Sequence, residues 1–164
     1  MKKLVHVEPG EIYAIPLFLS DRPVNDNFSR ENFDGEDKEF CFCRIIEDRL
    51  GSGIIVEVFD IKGNLKTDLE TIINSPRLFR PIAIAGLGIY KKRWRKIHTQ
   101  ENNDREKDSR YSDIQLVLGP RDARRLWQNG VETPITVEQA KQYEPWVVWV
   151  TDQLEKRIIQ ELSK

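Results

Sequence analysis

Two neighbouring strand-like segments constrain the fold of this chain most strongly. Residues 40–48 and 53–60 are rich in β-branched, aromatic and other apolar side chains, and only Arg49-Leu50-Gly51-Ser52 separates them. Two such runs joined by a short connection that contains glycine are typical of a β-hairpin. The sequence therefore predicts an antiparallel pair of strands in this part of the chain.

Further strands are predicted on both sides of this hairpin. Runs of β-branched, aromatic and apolar residues bounded by turn-forming residues occupy positions 10–17, 80–90 and 111–118. Pro16 should lie near the end or edge of its strand, because proline cannot donate a backbone hydrogen bond. Small residues in the segment 80–90 allow a sheet to bend sharply or another element to approach closely. We therefore expect a strongly curved antiparallel sheet or a half-open barrel.

Helices are predicted mainly in the C-terminal part of the chain. A short helix is expected over residues 68–74, and a longer one should begin after Pro120 and end at Gly130. A capping-box pattern follows at Thr136 and Gln139.

An apolar stripe then predicts a last helix that lies on the sheet; its members are Trp146, Trp149, Val150, Leu154, Ile158 and Leu162. The expected architecture is α+β, with C-terminal helices packed on the sheet. No convincing linker or internal repeat interrupts the sequence, so we expect one domain over residues 1–164.

Two polar stretches, residues 20–39 and 99–110, are predicted to be exposed loops. The first is acidic, since seven carboxylates in residues 21–39 stand against three cations and give a local charge of −4. It is either a solvated connection or a docking surface for a basic protein, whose association clustered carboxylates would accelerate. The candidate partner-binding residues are Asp26, Glu31, Asp34, Glu36, Asp37 and Glu39.

A basic run follows the predicted strand at residues 80–90. It consists of Lys91, Lys92, Arg93, Trp94, Arg95 and Lys96, and no acidic residue interrupts it. One interpretation is a solvated strand edge, where lysines prevent aggregation. The other is a nucleic-acid-binding surface in which an exposed Trp94 stacks on bases; if Trp94 points inward, it belongs to the core. The net charge of the whole chain is −1, which predicts no general attraction to nucleic acid or anionic membranes.

The residues that usually carry catalysis or metal binding form no recognisable pattern. His6 and His98 belong to no triad or metal-spacing motif, and we expect them to be structural or exposed. Cys41 and Cys43 lack the second ligand pair that a structural zinc site needs, and their spacing on a strand favours two small buried side chains in a reducing compartment. We therefore expect no enzyme activity, no cofactor and no bound metal.

Nothing in the sequence is typical of export or membrane insertion. The first residues contain no apolar segment of secretory length, and no stretch approaches the 18 or so apolar residues of a membrane span. A cytoplasmic location is expected.

Three segments together resemble a known family. The run at residues 10–17, the strand Phe42-Cys43-Arg44-Ile45-Ile46, and the segment 81–97 with its Arg93-Trp94-Arg95-Lys96-Ile97 core are similar to the bacterial immunity protein 26 family of polymorphic toxin systems. They span about the first two-thirds of the chain. The resemblance implies a small α+β protein that binds a cognate toxin and neutralises it. It implies no catalytic residues.

The sequence departs from the family pattern in its long acidic insertion and in the segment after Pro120. An acidic loop would suit a basic toxin such as a nuclease, because carboxylates can occupy a site that normally receives phosphates. Toxin neutralisation is thus the leading hypothesis, and a nucleic-acid-binding module that uses Lys91 to Lys96 is the second.

Overall fold

The structure, a computed structural model, describes residues 6–164, and these residues form two open sheets and five α-helices. The predicted α+β class is confirmed. The strands are β1 (Glu11–Pro16), β2 (Phe40–Asp48), β3 (Ile54–Gly63), β4 (Ile82–Ile84), β5 (Arg95–Thr99), β6 (Gln115–Leu118), β7 (Arg125–Gln128), β8 (Val131–Pro134), β9 (Glu144–Pro145) and β10 (Val148–Trp149). The helices are α1 (Leu69–Ile73), α2 (Leu87–Tyr90), α3 (Arg105–Ser109), α4 (Val137–Ala140) and α5 (Thr151–Leu162).

The first sheet is built around the predicted hairpin, which is confirmed. Its strand order is β10-β4-β3-β2-β1-β5, and all neighbours are antiparallel except β10 and β4. The sheet is therefore mixed rather than purely antiparallel, and it does not close into a barrel. Alternate residues of β2 enter different clusters, Cys41 and Cys43 on one face and Phe40 and Phe42 on the other. Because both faces are covered, the buried positions of the central strands are apolar apart from Arg44 and Glu57, which pair with each other.

The C-terminal helix covers one face of this sheet, as predicted. Leu154 and Ile158 of α5 are fully buried in the cluster that contains Cys41 and Cys43. The helix begins at Thr151, however, and the preceding apolar residues form β9 and β10 instead.

Residues 20–39 cover the opposite face, so the prediction of a simply exposed loop is wrong. The segment contains neither helix nor strand, as expected, yet Phe28 and Phe33 are buried in the second cluster. Phe18 packs edge-on against Phe33 and Phe40, with ring centroids 5.6 and 5.4 Å apart. The loop is therefore attached to the sheet by aromatic side chains while its polar residues face solvent.

The segment 80–90 changes from strand to helix after Ile84, where a continuous strand was predicted. The expected close approach occurs at Gly88, because a Cβ there would lie 2.8 Å from Cγ2 of Thr151 on α5. The predicted loop at 99–110 likewise contains α3, and the strand predicted from position 111 begins only at Gln115.

The helix predicted after Pro120 is wrong. A single 3₁₀ turn leads into the β7–β8 hairpin of the second sheet, whose strand order is β8-β7-β6-β9. Asn129 and Gly130 connect the two strands with φ angles of 52° and 80°, the left-handed pair that a two-residue hairpin turn requires. Gly130 therefore belongs to a hairpin turn and not to a helix terminus.

A third cluster joins the two sheets. Ile46 and Ile55 of the first sheet pack there with Tyr111, Leu116 and Trp127. Among residues 6–164, no helix combines the length and apolar character needed to cross a membrane.

Candidate partner-binding site

The acidic loop (residues 21–39) lies directly against the basic segment (residues 91–96). The backbone N–H of Phe28 donates to the carbonyl oxygen of Lys91 over 2.8 Å. Nη2 of Arg95 donates to the carbonyl oxygens of Phe28 and Glu31 over 2.6 and 2.8 Å, and its guanidinium lies 3.9 Å from the centroid of the Phe33 ring. Arg95 therefore fixes the loop through its backbone and through an aromatic side chain.

Partial burial affects the pKa of Arg95. Desolvation lowers the pKa of Arg95, while the carboxylates of Asp34 and Glu31 act in the opposite direction. Because arginine titrates far above neutral pH, the guanidinium remains protonated and continues to donate.

Arg93 anchors the loop from inside the protein. Its side chain is completely buried and forms an ion pair with Glu155 of α5, with Nη2 to Oε1 at 2.6 Å and Nε to Oε2 at 2.9 Å. The same guanidinium donates to the carbonyl oxygens of Leu19 and Arg22 over 2.6 and 2.9 Å. One arginine thus connects the start of the acidic loop to the C-terminal helix.

Trp94 completes this buried cluster. Only 2% of its surface is exposed, and its Nε1 donates to Oε2 of Glu155 over 2.9 Å. Of the two alternatives left open by the sequence, Trp94 therefore belongs to the core and is not available to stack on bases, and Arg93 is equally inaccessible. Lys92 and Lys96 remain exposed, but Lys96 pairs with Glu11 at 3.4 Å. Much of the positive charge of this segment supports the fold instead of forming a continuous cationic surface.

The candidate carboxylates of the loop fall into two groups. Asp26 and Glu31 share Arg22 at 3.3 and 3.4 Å, and Glu39 lies 4.0 Å from Lys62. The others, Asp34, Glu36 and Asp37, are exposed, and no Lys or Arg nitrogen of the described chain lies within 4.0 Å of their carboxylates. The loop therefore presents three negative charges without a direct ion-pair partner at residues 34–37.

A second buried charge cluster was not predicted from the sequence. Glu57 of β3 pairs with Arg44 and Arg77 at 3.0 and 3.1 Å and accepts a hydrogen bond from the hydroxyl of Ser109. Arg44 also donates to the carbonyl oxygen of Asp108 over 2.9 Å. This cluster holds the end of α3 on the first sheet, a structural role that its burial and complete pairing explain.

The two cysteines are free and buried, as predicted for small side chains on a covered strand face. Burial raises the pKa of Cys41 from 9.0 to about 12 and raises that of Cys43 as well. The Cys41 thiol donates to the carbonyl oxygen of Phe59 over 3.0 Å. Both thiols are therefore protonated at neutral pH and poorly suited to nucleophilic chemistry.

Within residues 6–164, no cluster of three or more His, Cys, Asp or Glu side chains is arranged to hold a metal.

Comparison with known proteins identifies the family. The family model described as Immunity protein 26 matches residues 8–124, well over half of the chain. The chain belongs to the immunity protein 26 family. No curated protein and no solved structure matches it.

Membership of the immunity protein 26 family confirms the resemblance seen in the sequence and makes the chain an immunity protein of a toxin system. The match includes the acidic loop and the basic segment, and it ends one residue before β7. Glu155, the partner of Arg93, therefore lies outside the matched region. Residues beyond the match, Glu155 among them, therefore help to hold the acidic loop, which lies within the match.

Proposed function

We propose that this immunity protein binds a cognate toxin in the cytoplasm and neutralises it through a complementary surface, without catalysis. The observation that carries the proposal is the anchored acidic loop, which presents Asp34, Glu36 and Asp37 to solvent without ion-pair partners among residues 6–164. Family membership supports the toxin as the partner. The packing of both sheets into one shared cluster supports action of the whole chain as a single domain.

The anchoring of the loop favours tight binding. A flexible loop would lose conformational entropy when a partner orders it, and this loss weakens association. Here Arg93 and Arg95 hold backbone carbonyl oxygens of the loop and its vicinity, and Phe28 and Phe33 are buried beneath it. The carboxylates are therefore displayed on a backbone that is already in place before the toxin arrives.

The charge of the loop indicates the chemistry of the partner. Clustered carboxylates attract a cationic surface and accelerate its association, and they can occupy a site that normally binds phosphates. A basic toxin such as a nuclease fits this surface best. The alternative of a nucleic-acid-binding module lacks its stacking residue, because Trp94 is buried.

Binding to the cognate toxin tests the proposal. The unaltered chain should protect cells that express this toxin and should form a complex with it. The combined variant Asp34→Asn, Glu36→Gln, Asp37→Asn should associate about tenfold more slowly at low salt, and its association rate should depend less on salt.

A matched control neutralises three exposed carboxylates outside the loop, with Glu101→Gln, Asp113→Asn and Asp122→Asn. This control should associate at the unaltered rate. Failure of the unaltered chain both to bind the toxin and to protect would overturn the proposed function. Normal association of the loop variant would remove the loop from the mechanism.

A further inference from the structure

A large polar pocket lies where the acidic loop meets the basic segment. We name it the lysine pocket, and its volume is about 820 Å³. The Lys, Arg and Glu side chains that line it are Lys91, Lys92, Arg95, Lys96 and Glu11. Asn27 and Ser29 of the acidic loop also contribute to its wall. The loop and the pocket therefore form one continuous surface.

Two lysines of this pocket have no counter-charge. Among residues 6–164, no carboxylate oxygen lies within 4.0 Å of Nζ of Lys91 or Lys92. The other cations are occupied, since Lys96 pairs with Glu11 at 3.4 Å and Arg95 donates to carbonyl oxygens of the loop. Lys92 is exposed and Lys91 is partly buried. Four cations against one carboxylate make the pocket attractive to an anion.

The backbone at Lys92 adopts a conformation that is unusual for lysine. Lys92 follows the end of α2 with a φ angle of 63°, and its N–H donates to the carbonyl oxygen of Ile89 over 3.1 Å. Glycine, and less often asparagine, is usual at such a left-handed position after a helix, because other side chains are strained there. Residues held in this way are found disproportionately at binding and active sites. The strain therefore supports a role for the Lys92 side chain itself.

We infer that the lysine pocket receives an acidic segment of the cognate toxin while the acidic loop contacts a basic surface of the same toxin, an inference that rests on the proposed function. A standard interface covers about 800 Å² of each partner, a patch roughly 30 Å across. Ser29 lines the pocket and is five residues from Asp34, and five residues span at most about 18 Å. One toxin molecule can therefore cover both the pocket and residues 34–37.

The unpaired charges determine what the toxin must place in the pocket. A surface that removes water from the ammonium groups of Lys91 and Lys92 without supplying an anion leaves two charges desolvated and uncompensated. Aspartate or glutamate side chains of the toxin restore the balance, and the two opposite charge contacts fix its orientation. Tyr90 favours a protein as the occupant, because tyrosine is enriched at binding hot spots. Its surface is 45% exposed, and Nζ of Lys91 lies 5.6 Å from its ring centroid.

The direction of a mutational effect tests this inference. The variant Lys91→Gln, Lys92→Asn removes both unpaired charges, and asparagine tolerates the positive φ angle, so the melting temperature should not fall. Surface plasmon resonance at low salt should show that the variant binds the cognate toxin about tenfold more weakly than the unaltered chain does. A toxin that is basic over its whole contact surface would give the opposite result, because the variant would repel it less.

A matched control removes two exposed cations outside the pocket, with Lys107→Gln and Arg121→Gln, and should bind the toxin normally. Equal or tighter binding by the pocket variant would overturn the inference alone, as would equal weakening by the control. Failure of the unaltered chain to bind the toxin would overturn the proposed function as well. If the pocket variant binds the toxin normally but loses affinity for a labelled single-stranded DNA, the pocket belongs to nucleic acid instead.

Discussion

The acidic loop and the basic segment lie against each other, but their charged groups have different surroundings. Asp34, Glu36 and Asp37 face solvent without ion-pair partners in the described chain, whereas Arg93 is completely buried and Arg95 is partly buried under the loop. The first set of charges is available to a partner, and the second holds the first in place. Under the proposed function, the acidic cluster serves recognition, whereas the basic cluster supports the fold.

Removal of Glu155 should have the largest effect on stability. Glu155→Ala leaves the Arg93 guanidinium buried without a counter-charge and removes the acceptor of Trp94, so the free energy of unfolding should fall by about 3–5 kcal/mol. Urea denaturation measures the change. Glu138→Ala, which breaks an exposed pair with Lys141, should cost less than about 1 kcal/mol. Equal losses in the two variants would contradict a supporting role for the buried pair.

Arg95→Lys should have an intermediate effect that is confined to the loop. Lysine keeps the charge but lacks the planar guanidinium, which donates to two carbonyl oxygens and stacks on the Phe33 ring. The stability of the loop should therefore fall by about 1–2 kcal/mol. Hydrogen exchange should become faster in residues 28–33 before the first sheet is affected. Lys92→Arg changes an exposed cation of the same segment and should leave exchange unaltered. Unchanged exchange in Arg95→Lys would show that Arg93 and the buried phenylalanines hold the loop without Arg95.

Neutralisation of the loop should have the smallest effect on stability. The variant Asp34→Asn, Glu36→Gln, Asp37→Asn removes exposed charges that have no ion-pair partner in the described part of the chain. Its free energy of unfolding should therefore stay within about 0.5 kcal/mol of the unaltered value. Urea denaturation measures this free energy as well. A loss of several kcal/mol would mean that these carboxylates support the fold, and the contrast between the two segments would disappear.

The sequence predicts local structure well where short-range pattern decides it. The hairpin of β2 and β3 and the strand β1 have dense apolar runs, and the capping box at Thr136 and Gln139 forms as expected. The helix predicted after Pro120 failed because Asn129-Gly130 is a strong turn signal that outweighs a few apolar residues at helical spacing. That turn signal was present in the sequence and could have been used.

The supporting role of the basic segment could not be predicted from local pattern. Arg93 and Glu155 are 62 residues apart, and only the tertiary fold brings them together. The change from strand to helix after Ile84 also alters which side chains point inward, so alternation along residues 80–97 could not place Trp94. Phe28 and Phe33 did offer a signal, because two phenylalanines in an otherwise polar stretch indicate attachment to a core.

Hydrogen exchange of the chain with and without its cognate toxin tests most directly whether the anchored acidic loop receives the toxin. The amides of residues 31–39 should gain protection in the complex, and this gain should be lost when Asp34, Glu36 and Asp37 are neutralised. A complex that forms with unchanged exchange in residues 31–39 would contradict the account.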